Sequence, residues 1–186
     1  AARLAHQGAA ALVVSDYAKG AVPPGRVSRL EPRPCTVVDP KHADVERYRG
    51  ADVLTPNRAE AVAAASGSAD PLPLDEAMAR LRARLPGTAL VVTCGADGIA
   101  WSEVGRSSGT TPEGPGPLGR GPSLAHLVDD VTGAGDSVVC GLALALAVGF
   151  DLARAIAVSS AVAAAAVGAP GTAAPTWDDV LAAISG

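Results

Sequence analysis

Aromatic side chains are nearly missing from this sequence, at 3% of 186 residues, although 48% of the chain is apolar. A core without large rings must be filled by alanine, valine and leucine, which favours small-faced helices packed tightly on a sheet. Lysine is as scarce: the chain has two, Lys19 and Lys41, against thirteen arginines. The formal net charge of −4 leaves no basic surplus for a polyanion, which argues against a nucleic-acid partner. Three cysteines, Cys35, Cys94 and Cys140, are widely spaced, odd in number and without a CxxC pair. That excludes a zinc ribbon or a disulfide framework and points to reduced thiols in a cytoplasmic protein. The apolar run from Val138 to Phe150 is too short to span a membrane, and Asp151 and Arg154 separate it from the next apolar run. Two nucleotide motifs are absent as well, the G-x-x-x-x-G-K-[ST] loop and a G-x-G-x-x-G between strand and helix. A P-loop ATPase and a dinucleotide-dependent dehydrogenase are therefore disfavoured.

What is present alternates. "ALVVSDYAKG" reads as a strand ending in a polar loop near Asp16, and "PPGRVSRLEP", which opens and closes on proline, as a short helix. "CTVVDPK" and "DVLTPN" are a second and a third strand. "NRAEAVAAASG" has an N-cap, an alanine-rich body and a closing glycine, and "LDEAMARLRARL" is an amphipathic helix with its arginines toward solvent. "TALVVTC" and "GIAWSEV" read as strand, turn, strand around Gly-Ala-Asp-Gly. Residues 105–123, rich in glycine, proline, serine and threonine, predict a mobile loop. "LAHLVD" reads as a last strand, and the helix after it is opened by glycines. "DLARAIAVSSAVAAAAVG" predicts a close-packing helix, and "TWDDVLAAIS" closes the chain. Trp101 and Trp177 read as packing residues. The alternation predicts an α/β layered fold with a largely parallel central sheet flanked by helices. The length fits one domain, or one with a small appendage.

Several polar residues fall at strand ends, where open α/β sheets bind ligands. In "DDVTGAGDSVV" two glycines precede Asp136 at the mouth of an apolar helix. The glycines bare backbone N–H groups that suit an anion, and the helix dipole favours a carboxylate in the first turn. A carboxylate beside an anion site makes chemical sense in phosphoryl transfer, where N–H groups absorb charge and a base takes the proton of the attacking hydroxyl. The plain alternative is a helix-favouring acid. In "TPNRAE", Asn57 and Glu60 make a capping box, a structural role, yet both are also suited to magnesium-bound waters. Lys19 and Lys41 each come after a strand-terminal aspartate; they are phosphate or sugar contacts, or ordinary surface lysines. "TCGADG" is a turn with glycines at positive φ, or bare backbone against which a nucleotide lies. His6, His42 and His126 are far apart and have no ligand spacing.

In this order the segments resemble the ribokinase-like family of carbohydrate kinases. "DVTGAGDSVVCGLA" is similar to the family's C-terminal signature, with Cys140 where a small residue is usual. That resemblance implies Asp136 as the catalytic base and Gly133, Ala134 and Gly135 as the anion hole for the γ-phosphate. "NRAE" resembles the family's Asn-x-x-Glu motif and implies that Asn57, Arg58, Ala59 and Glu60 order Mg2+ and the ATP phosphates. "TCGADG" is similar to the segment bordering the nucleotide, which adds Thr93, Gly95 and Gly98. Ser160 stands where an asparagine near the adenine is frequent. Asp16, Lys19 and Lys41 are implied to face the substrate, while Asp130, Thr132 and the loop from Gly168 to Gly171 suggest a monovalent-cation site for K+.

Within the family, "VVSDYAKGAV", "VVDPKHADVERYRGADVLTPNRAEA" and "VGAPGTAAPT" look most like kinases of D-glycero-D-manno-heptose 7-phosphate. The resemblance implies transfer of the γ-phosphate of ATP to the carbon-1 hydroxyl. ATP and a phosphorylated sugar are the implied partners, with no nucleic acid and no membrane, and a homodimer in the full-length form. It places residues 1–186 as the C-terminal portion of a single kinase domain, with the N-terminal part and lid outside the segment and no adenylyltransferase half after Gly186. The segment alone is then expected to turn over little sugar. A kinase for another sugar or a nucleoside, or a non-catalytic binding remnant, remain as alternatives.

Overall fold

The computed structural model describes residues 8–30, 34–67, 72–104, 115–121, 134–168 and 174–185. Among the described residues, six strands form one sheet in sequence order: β1 (Ala11–Asp16), β2 (Cys35–Pro40), β3 (Val53–Leu54), β4 (Ala89–Thr93), β5 (Ile99–Val104) and β6 (Pro115–Gly121). β1 to β4 are parallel, and β5 and β6 are each antiparallel to the preceding strand. The largely parallel sheet thus holds for its first four strands and gives way to a meander at one edge. The described helices are α1 (Arg58–Ser66), α2 (Leu74–Arg84), α3 (Ala134–Ala147), α4 (Leu152–Gly168) and α5 (Trp177–Ser185).

Side-chain alternation along the central strands divides the core in two, because successive Cβ atoms point to opposite faces. Val38, Leu54, Leu90 and Val92 meet Ala61 and Ala64 of α1 and Met78 and Leu81 of α2. Val37, Val53, Ala89 and Val91 meet Val138, Val139 and Leu142 of α3 and Ile156 of α4. The runs of β-branched residues in β2 and β4 are what a sheet covered on both faces requires. Without bulky rings, the helices must come close. A Cβ on Gly141 of α3 would lie 2.9 Å from Ser159 Cα of α4 and 3.2 Å from the Val162 side chain. Gly141→Val should therefore force the two helices apart and lower the unfolding free energy by about 2 kcal/mol, within the range for overpacked cores. Urea denaturation measures it.

Four local expectations need correction. "PPGRVSRLEP" yields a single 3-10 turn, Val27–Arg29, held by one-turn backbone bonds such as Leu30 N to Val27 O at 3.3 Å. Part of the region expected to be a loop is the edge strand β6. Its glycines serve the packing: a Cβ on Gly119 would run into the Trp101 indole of β5, and one on Gly121 would lie 3.3 Å from it. Trp177, expected to pack, is 68% exposed at the start of α5. On α2, Arg80 pairs with Glu76 at 2.6 Å, but Arg82 is half-buried and its Nη2 has no hydrogen-bond partner. Burial lowers the pKa of that guanidinium. "LAHLVD" lies outside the described residues. Among the described residues, no helix is long and apolar enough to cross a membrane.

Candidate active site at the carboxyl ends of the parallel strands

The parallel strands all end on one edge of the sheet, and most of the sequence-predicted residues lie there. β3 runs through Thr55 and Pro56 into Asn57, the N-cap of α1. Asn57 Oδ1 accepts from Glu60 N at 2.8 Å, and Asn57 N donates to Glu60 Oε2 at 2.9 Å. The capping box therefore exists, and it fixes the Glu60 carboxylate by one oxygen. The other oxygen, Oε1, lies 3.0 Å from Lys41 Nζ. Lys41 Nζ also donates to Oδ1 of Asp39, at the end of β2, over 3.2 Å.

Asp39 stands out in the sequence only as a neighbour of Lys41, and its place in the site emerges from the fold. It shares the β2 face of Val37, which packs against α3, and is buried to 6% exposure. Burial raises its pKa; Lys41 opposes the rise, and the negative charges of Glu60 and Asp136 add to it. Asp136 is thus within electrostatic range of Asp39, exposed in the first turn of α3. Lys41 is pulled the other way. Burial works against its charge, but the carboxylates of Glu60 and Asp39 win and raise its pKa. The signal that could have found Asp39 is a carboxylate placed directly after an apolar strand run, in "TVVDPK".

β4 ends beside α1. Thr93 pairs with Asn57 in an isolated parallel bridge, and Thr93 N donates to Pro56 O at 3.1 Å. The β4–β5 connection is a tight turn in which Cys94 N donates to Gly98 O at 2.8 Å. Gly98, at φ 83 and ψ −136, takes a conformation that only glycine adopts readily, and Gly95 has φ 60. Arg58 Nη2 ties this turn to α1 through Asp97 Oδ2 at 2.7 Å. Ala59 sits exposed in the first turn of α1. Ala134 and Gly135 begin α3, and nothing lies within 4 Å of where a Gly135 Cβ would be. Ser160 is half-buried in α4, the helix that crosses α3. Gly133, Asp130 and Thr132 lie outside the described residues, as does the loop beyond Gly168.

The structure treats Asp16 differently from Lys19. Asp16 ends β1 with 1% exposure. Its Oδ2 accepts from Tyr48 Oη at 2.7 Å, and its Oδ1 accepts from Ala18 N at 2.9 Å. Arg47 Nε lies 3.8 Å from Oδ2, buried and without a hydrogen bond, while Arg47 Nη2 donates to Val22 O at 2.6 Å. Burial first, then the Asp16 carboxylate, raises the Tyr48 pKa, so the phenol stays a donor. Asp16 is therefore a support for the loop after β1, closed off from solvent. Ala18 is at φ 57, the one described non-glycine residue with positive φ. Lys19, next to it, is exposed and has no ion pair among the described residues.

Between α1 and the segment after β2 lies a cavity of about 120 Å³, with Lys41, His42, Pro56 and Glu60 in its wall. Among the described residues, no group of three or more histidine, cysteine, aspartate or glutamate side chains stands ready to hold a metal ion. A cation at this edge would therefore rely on one or two carboxylates and on a ligand's own oxygens, the manner in which Mg2+ is held with nucleotide phosphates. The oxygen donors of Glu60 and Asp39, already gathered around one ammonium, fit that chemistry.

The sequence of residues 27–179 matches the model of the pfkB family of carbohydrate kinases. The chain belongs to that family. Within it, the Bifunctional protein HldE of Halorhodospira halophila is 42% identical over 182 residues, covering 96% of this chain and 36% of that protein. The Bifunctional protein HldE of Geobacter metallireducens is 41% identical over 168 residues, 87% of this chain and 32% of that protein. This pfkB chain thus spans about a third of the length of the curated relatives it matches. In fold it is similar to ribokinase from Thermotoga maritima, with a TM-score of 0.74 and 20% identity over 95% of this chain and 57% of that one.

Proposed function

We propose that the chain carries the nucleotide side of an ATP-dependent sugar kinase that phosphorylates carbon 1 of D-glycero-D-manno-heptose 7-phosphate. One observation carries the reading: Asp136, exposed at the start of α3, lies close enough to Asp39, the buried carboxylate paired with Lys41, for its charge to act on it. Asp136 takes the proton of the sugar hydroxyl as it attacks. The N–H groups of Gly133, Ala134 and Gly135 receive the charge that develops on the transferred phosphoryl. Neutralising that charge further is what Mg2+ supplies when bound with ATP, with Asn57 and Glu60 the residues on its side. Thr93, Gly95 and Gly98 border the nucleotide, Arg58 and Ala59 hold the start of α1 beneath it, and Ser160 lies toward the base. Asp130 and Thr132 are proposed for a K+ site, and a homodimer for the assembly.

Lys19 and Lys41 face the 7-phosphate, and Asp16 holds the Lys19 loop in place. Lys19→Met should then raise the KM for the phosphosugar by about 10- to 150-fold, the range for one charge-assisted hydrogen bond, and leave the KM for ATP unchanged. Its exposure predicts no loss of stability. Steady-state kinetics with each substrate varied in turn separates the two. The reading as a whole is tested by ADP release over a panel of acceptors. Heptose 7-phosphate should be consumed, and the unphosphorylated heptose, ribose and a nucleoside should be ignored. Equal turnover of an unphosphorylated sugar would remove the heptose phosphate from the proposal.

A further inference from the structure

Lys41 is held from two sides by carboxylates that cannot easily move. Its ammonium lies 3.2 Å from Asp39 Oδ1 and 3.0 Å from Glu60 Oε1. Asp39 sits at the end of a central strand and is buried. Glu60 is pinned through its other oxygen by Asn57 N, so turning the carboxylate away would give up the side-chain half of the α1 capping box. Lys41, by contrast, lies beyond the end of β2 with a third of its side chain exposed. A compact ammonium on a flexible four-carbon stem can leave such a place at small cost, which a planar guanidinium cannot do as freely. In a chain that uses arginine thirteen times and lysine twice, this position takes a lysine. Lys19, the other one, has no comparable pairing among the described residues.

Fixed carboxylate oxygens around a cation are also what a hard divalent ion takes as ligands. We propose that in the unliganded protein the Lys41 ammonium keeps the metal's place between Asp39 and Glu60, and that a metal–nucleotide complex displaces it toward the phosphate of the acceptor. The inference rests on the kinase reading above and deepens it. Without a cation there, the carboxylates of Glu60 and Asp136 would each repel Asp39. With the metal–nucleotide complex in place, the charge of Lys41 is released for the phosphosugar. The two substrates are then coupled: nucleotide raises the affinity for a phosphorylated acceptor, and by linkage the reverse holds.

The test is isothermal titration of ADP, with Mg2+ and with Mg2+ chelated, into the protein expressed from its complete reading frame. Wild type is compared with Lys41→Met, and with Lys41→Gln should the first variant melt early. The variant lacks the competing ammonium, so Mg2+·ADP should bind more tightly; it also lacks the compensating charge, so metal-free ADP should bind more weakly. The ratio of metal-free to metal-bound Kd should rise by about tenfold or more over wild type, the effect of one charge-assisted contact. A ratio equal to or below that of wild type overturns the role of Lys41 and leaves the kinase reading standing. Nucleotide binding that is independent of Mg2+ in both proteins overturns the kinase reading and this inference together.

Discussion

Replacing Asp136 with asparagine should cut turnover by roughly 100-fold or more while ATP binds almost as before, the scale of a lost general base. Position is the first reason. Asp136 is exposed in the first turn of α3, so it can be reached by an acceptor hydroxyl, and its helix is locked to the sheet by Val138, Val139 and Leu142. The amide keeps size and hydrogen bonding but cannot take a proton at neutral pH. It also removes one negative charge from the field around Asp39, which should if anything ease the approach of an anionic nucleotide. A fall in kcat without a rise in the ATP KM is therefore the expected pattern. The split separates a base from a residue that merely shapes the site, which would move both constants. Near-normal turnover in Asp136→Asn would remove the assignment.

The largest effect on stability is expected at Asp16. Asp16→Ala leaves the Tyr48 hydroxyl and the Arg47 guanidinium buried without their carboxylate. Breaking a buried charge pair by removing one partner costs about 3–5 kcal/mol, mostly because the remaining charge is left without compensation. Tyr48→Phe removes one hydrogen bond from the same group and should cost less, about 1–3 kcal/mol. Urea denaturation of both variants gives the comparison. An Asp16→Ala protein as stable as wild type but with a raised phosphosugar KM would show that Asp16 contacts the ligand directly. The structure argues for the opposite order, in which the loop carrying Lys19 is disturbed because its support has gone.

These two aspartates show how far a sequence reveals a site. The position of Asp136 in the first turn of a core helix is legible because glycines and an apolar run surround it within a few residues, and local spacing carries that signal; its role as the base is the proposal made above. The capping pair Asn57 and Glu60 is legible for the same reason, since a capping box spans only four residues. Asp16 looked equivalent to Asp39, each a carboxylate ending an apolar strand with a lysine shortly after it. The fold separates them. Asp16 turns to the face of Tyr48 and Arg47, and Asp39 to the face of α3, one pleat apart in register. Which partner waits on each face depends on contacts 32 residues apart in one case and across the sheet in the other. No local pattern encodes that.

The same limit explains the sheet edge. "PGPLGRG" has the composition of a loop, and β6 exists because its glycines let the strand lie against Trp101. A glycine's absent side chain is informative only once its neighbour is known. The parallel strands and their helices needed no such knowledge, since continuous apolar runs in β2 and β4 and alanine-rich helical faces specify a sheet covered on both sides.

The measurement that bears most directly on the account is 31P NMR of the reaction of ATP with heptose 7-phosphate, using protein from the complete reading frame. The 7-phosphate signal should persist while a second sugar-phosphate signal grows, split by the proton on carbon 1, in step with the appearance of ADP. ADP forming without a new sugar-phosphate signal, or a new phosphate on any other carbon, would contradict it.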